Sequence, residues 1–183
     1  PPEDGLQLIR VVTRHWSAIP RILGGDWEEL LAGLSLSSNL ADTAGYYLLK
    51  ADLASRRERP AEAEAYYDSA RVNLEKHKSE ILDDPHLRSR LGLAYAGLGR
   101  YEDALREGVY ATRLRPISVD AVDGPLAIEM LARIYTLLGD HEAAIEQLEV
   151  LLSIPSHVST QTIRLDPVWM PLRERTRFRQ LLR

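Results

Sequence analysis

The sequence predicts an all-α fold in which hairpins of helices stack one upon the next. Three observations carry this reading. Residues 91–116 (LGLAYAGLGRYEDALREGVYATRLRP) and 131–155 (LARIYTLLGDHEAAIEQLEVLLSIP) follow one plan. A helix closes on Leu-Gly, a two-residue turn follows, and a second helix opens on Tyr or His before acids. Apolar residues make up 45% of the 183, yet only one is Phe while Leu and Ala dominate, as in packed helices rather than sheets. Ala63, Tyr67, Ala70, Leu74, His77 and Ile81 recur at steps of three and four, the period of one buried helix face.

The elements follow in order. Residues 6–24 are apolar with helical spacing, and Pro20 kinks or ends that helix. Gly24-Gly25 breaks it, and Asp26 caps a second helix over 27–36. Ser37-Ser38-Asn39 forms a loop with an N-cap before a helix at 40–56. The charged turn 56–59 leads to Pro60, which suits a first helical position, and the longest helix runs over 60–81. Asp83-Asp84-Pro85 ends it, with Asp84 as N-cap for the next.

Helices are then expected at about 86–98, 101–114, 125–138 and 141–153. The link 117–124 is longer than a tight turn. After Pro155 comes a looser stretch, 156–171, and a short terminal helix near 172–182. No low-complexity segment divides the chain, which predicts one domain. The opening Pro1-Pro2-Glu3-Asp4 reads as the edge of a piece of something longer.

A unit starting at Pro85 places Leu91-Gly92, Tyr95, Ala104, Ala111 and Pro116 on the pattern of the tetratricopeptide repeat, with Gly108 at the usual aromatic position. A unit starting at Pro125 places Leu131-Ala132, Tyr135, Ala144 and Leu148 likewise. Two weaker units fit near 11–43 and 44–84; the second has Glu58 where Gly is usual. The chain thus resembles a tetratricopeptide-repeat domain, with units near 11–43, 44–84, 85–124 and 125–158 and a cap over 159–183. The resemblance implies a right-handed superhelical α-solenoid with a C-terminal capping helix. The ending RLDPVWMPLRERTRFRQLL is similar to the C-terminal repeat region of bacterial signalling proteins, which carry kinase, cyclase or winged-helix domains upstream. That likeness implies a cytoplasmic regulatory module.

Composition narrows the function. A net charge of −4 argues against a general nucleic-acid or membrane-surface role. There is no cysteine, hence no disulfide or thiolate chemistry, and no apolar run reaches the length of a membrane span. The five histidines lack metal-site spacing, the glycines lack a phosphate-loop context, and no carboxylate pair stands out. No enzyme, cofactor or metal is therefore expected. Residues 173–183 hold five arginines, either an anion-binding patch or the solvated face of a cap helix.

The resemblance implies a concave groove lined by the first helix of each pair. The matching positions are His15, Trp16 and Ile19; Leu48, Leu49 and Asp52; His86, Ser89, Arg90 and Leu93; Glu129, Met130 and Arg133. These are the candidate partner-binding residues, although Trp16, Leu48 and Met130 could equally pack between repeats. The expected function is a non-catalytic scaffold binding a peptide or partner helix, with self-association possible. A domain enclosing a small ligand is the alternative. Arg90→Glu and Arg133→Glu are expected to weaken partner binding without loss of fold.

Overall fold

The computed structural model describes residues 40–183. Of the unit near 11–43, all but the last residues lie outside them, His15 and Trp16 included. The described residues form helices throughout: α1 (Leu40–Arg56), α2 (Pro60–Lys76), α3 (Lys78–Ile81), α4 (Pro85–Gly97), α5 (Tyr101–Leu114), α6 (Asp123–Leu137), α7 (His141–Ser153) and α8 (Thr160–Leu165). A 3₁₀ helix (Pro167–Leu172) and α9 (Thr176–Leu181) complete the chain. The pairs α1/α2, α4/α5 and α6/α7 pack as hairpins. Between hairpins, α1 meets α4 and α4 meets α6, while α2 packs on α4 and α5 on α6. This is the stacking a helical solenoid requires, because each hairpin covers the apolar side of its neighbour.

The turns explain why the hairpins close where they do. Arg59, Arg100 and Asp140 each donate a backbone N–H to the carbonyl five residues back, on Ala54, Tyr95 and Tyr135, at 3.0, 2.9 and 3.0 Å. That closure needs the preceding residue in the left-handed region. Gly99 and Gly139 take it at φ 69° and 79°, and Glu58 takes it at 57°. A side chain there costs about 1–2 kcal/mol, partly offset by the greater freedom glycine has when unfolded. Glu58→Gly is therefore expected to stabilise the chain by about 0.5–1 kcal/mol, read as a thermal midpoint raised by a few degrees. A lowered midpoint would show that the Glu58 side chain contributes more than its backbone costs.

Small residues set how closely the layers approach. A methyl group on Gly92 would lie 2.8 Å from Ile134 Cδ1 and 3.1 Å from the Ala104 carbonyl, and one on Gly108 would lie 2.8 Å from the same Ile134 atom. Ile134 of α6 thus fills the space that an aromatic at position 108 usually occupies. The Tyr67 ring lies across Gly97 in the same way. α4 is buried on nearly every side, from Leu87 to Ala96, since helices of three hairpins surround it.

Three expectations are corrected. The helix over 60–81 is broken at His77. The ring Nδ1 of His77 bonds the Asn73 carbonyl at 2.8 Å, so the backbone N–H turns to Leu74 at 3.1 Å. The side chain has taken the acceptor that the continuing helix would use. The link 117–124 shelters the start of α6, which begins at Asp123 rather than Pro125. Asp120 Oδ1 accepts from the N–H groups of Val122 and Asp123 at 2.8 and 2.9 Å, and these bonds hold its carboxyl below the usual range.

The stretch after Pro155 is ordered, with Ser159 and Thr162 forming a capping box for α8. The cap's apolar side chains Ile163, Trp169, Leu172 and Phe178 are buried against Ala144, Ile145, Leu148 and Leu151 of α7's hairpin. Outside, Arg177 spans Glu142, Glu146 and Glu149, the last at 2.6 Å. One arginine of the basic tail thus fastens the cap to α7.

Candidate functional site

The first helices α1, α4 and α6 lie side by side and form one wall. Leu48, Leu49, Ser89 and Leu93 on it are buried, and Met130 packs partly buried against the core. Asp52 is half-buried and bonds Arg56 at 2.8 Å; burial pushes its carboxyl up against the lowering pull of that arginine. His86 bonds Asp123 at 3.1 Å at the start of α6. Arg90 is buried.

Glu129 and Arg133 stand one helical turn apart on α6, and both are almost wholly buried. One guanidinium nitrogen of Arg133, Nη2, donates to Glu129 Oε1 at 2.8 Å and to Asp166 Oδ2 at 2.6 Å. The Trp169 ring lies over the same guanidinium, its centroid 5.2 Å away. His157 Nε2 meets the other Glu129 oxygen at 2.5 Å. Asp166 also accepts the backbone N–H of Val168 at 3.0 Å, starting the 3₁₀ helix. The cap segment is therefore seated on the wall at α6, with the wall's own arginine as its anchor.

Burial alone would raise the Glu129 carboxyl, but Arg133 and His157 together overcome it and hold it at about 2. Burial likewise opposes the charge on Arg133, and the two carboxylates outweigh it, so the guanidinium is held more firmly protonated than usual. A carboxylate lowered from 4.5 on folding stabilises the fold above pH 4.5 and loses that contribution as the pH falls towards 2. The chain is thus expected to lose stability through that window, and the difference in midpoint between parent and Glu129→Gln to shrink across it. A difference that stays constant from pH 5 to about 2 would remove Glu129 as the source.

The arrangement overturns one expectation. Arg133→Glu cannot leave the fold intact, because it would bury three carboxylates together. Arg90 is buried too, so Arg90→Glu would place a carboxylate at a position that water hardly reaches. Asp166 and His157 were missed by sequence reasoning. The pair Glu129 and Arg133 was visible as a four-residue step, but Asp166 lies 33 residues further on and reads locally as a cap before a proline.

Beside this cluster the wall holds a cavity of about 20 Å³ between Leu48, Asp52, Tyr67, Leu93, Arg133, Leu137 and Val168. That is room for about one water, far below the 300–1,000 Å³ of ligand pockets. Leu137 keeps 39% of its surface exposed at its edge. Among the described residues no group of His, Asp or Glu is arranged to hold a metal, and no helix is long and apolar enough to cross a membrane.

Comparison with protein families matches residues 127–156 to the tetratricopeptide repeat, a span that takes in most of α6, all of α7 and the turn between them. Comparison with curated proteins and with solved structures gives no match. The matched span contains the Schellman-closed turn at Gly139, the buried Ala132 and Ala144, and the charged pair Glu129 and Arg133. Residues 127–156 thus resemble one tetratricopeptide repeat, and hairpins of the same plan are stacked before them as in a helical solenoid.

Proposed function

We propose that the chain is a protein-interaction module, and that its partner lies along the wall of α1, α4 and α6 as a peptide or helix. Tetratricopeptide repeats generally mediate protein–protein contacts and generally do not catalyse. One observation supports the wall in particular: the first helices of three successive hairpins lie directly against one another, giving a continuous surface. The chain's own cap segment covers the wall at Arg133, so the partner takes the stretch beside Asp52 and Leu137. There an exposed apolar side chain flanks a half-buried carboxylate, which suits an apolar anchor next to a basic group.

The wall is tested by affinity capture with the purified chain, comparing the parent with Leu137→Glu and Asp52→Asn. Leu137 is exposed and Asn keeps the size of Asp52 and an acceptor for Arg56, so circular dichroism is expected to be unchanged. Proteins retained by the parent and lost by both variants support the reading. An identical set retained by parent and variants takes the wall out of consideration.

A further inference from the structure

The cap carries an excess of positive charge, opposite in sign to the rest of the chain. Residues 160–183 hold six arginines against two carboxylates, Asp166 and Glu174, in a chain whose net charge is −4. Arg177 is neutralised by its three glutamates. Arg164 and Arg173 are held differently. Arg173 Nη2 donates to the Arg164 carbonyl at 3.1 Å, and Arg164 Nη2 donates to the carbonyl of Leu182. These bonds join the end of α8, the end of the 3₁₀ helix and the end of α9 at one corner, with Arg183 next in the chain. A backbone carbonyl occupies an N–H group but leaves the guanidinium's full charge unbalanced. The same segment exposes Leu165 and Met170, which keep 61% and 58% of their surface.

We propose that this corner docks an acidic segment of a partner protein, one that alternates carboxylates with apolar anchors. It is a second surface and does not rest on the wall of first helices. The charge and the apolar side chains match such a segment together: carboxylates meet Arg164 and Arg173, and anchors meet Leu165 and Met170. The chain already displays the chemistry in cis. On α7, glutamates at steps of four and three are read by Arg177, another arginine of the same cap. A long polyanion fits less well, because it would also meet the acidic body of the chain, whereas a short segment would not.

The probe is a synthetic peptide of α7 itself, HEAAIEQLEVLLS, titrated calorimetrically into the whole chain, with a second peptide carrying Gln for each Glu as control. Binding of the first peptide is expected to weaken steeply with salt and to be absent for the Gln version. The double substitution Arg164→Glu with Arg173→Glu is expected to lower affinity at least about tenfold, while Arg164→Lys with Arg173→Lys stays close to the parent. Arg113→Glu, an exposed arginine on α5, is expected to change nothing. Where the Glu variants lose helicity, Arg164→Gln with Arg173→Gln takes their place, with an intermediate loss expected. Equal affinity in parent and charge-reversed chain overturns the proposal, as does equal binding of the Gln peptide. Duplex DNA or phosphatidylserine vesicles binding more tightly than the peptide, with the same dependence on Arg164 and Arg173, overturns the class of partner.

Discussion

Arg133→Ala is expected to destabilise the chain by about 3–5 kcal/mol, enough to remove much of an ordinary domain's stability. The cause is the two carboxylates left behind. Glu129 and Asp166 are almost wholly buried, and both bond the one guanidinium nitrogen that the substitution deletes. An unpaired buried charge costs far more than the pair contributes over an apolar replacement. The signature follows from that asymmetry. The thermal midpoint should fall by about 10 °C or more, whereas Arg133→Leu combined with Glu129→Leu and Asp166→Asn should recover most of the loss. Asn at 166 keeps an acceptor for the Val168 N–H, so the 3₁₀ helix retains its cap. A single Arg133→Ala variant melting within a degree or two of the parent would show that the carboxylates reach water.

Trp169→Ala is expected to cost a similar amount, about 3–5 kcal/mol, by a different route. The ring is 2% exposed, packs with Ile163, Leu172 and Phe178, and stacks on Arg133 at 5.2 Å. Its removal opens a cavity and strips the guanidinium of its apolar cover. In a stacked-hairpin fold such damage is felt by neighbours first. Amide exchange should therefore lose protection in α8, the 3₁₀ helix and α9, then in α7, while α1, α2 and α4 keep theirs. Trp169→Phe should restore part of the stability. Uniform loss of protection from α1 to α9 would mean that the hairpins unfold as one unit, against a nearest-neighbour account. The two variants also share a contact, so their combined effect should fall short of the sum of the single effects.

Most of the hairpin plan was legible in the chain because it depends on neighbours in sequence. The Leu-Gly stops at 99 and 139, the Asp84 cap and Pro60 at a first helical position act within about five residues, and each is found as its residue type predicts. Even Glu58 in a glycine position keeps the same closure, since the backbone bond to Ala54 outweighs the cost of its φ. Where a side chain competes for a backbone acceptor, as His77 does at Asn73, a helical period alone gives no warning.

The candidate groove was less legible. The family resemblance implied that Glu129, Met130 and Arg133 face a groove, and they lie within about one turn of α6. Spacing says which side chains share a face, but not whether water reaches it. By itself the sequence determined the helices, their turns and their pairing into hairpins, because propensity, capping and backbone conformation are short-range. Only the tertiary structure decided that the cap's Asp166 and Trp169 settle on Arg133, since the cost of a buried charge depends on where a segment 33 residues away comes to rest.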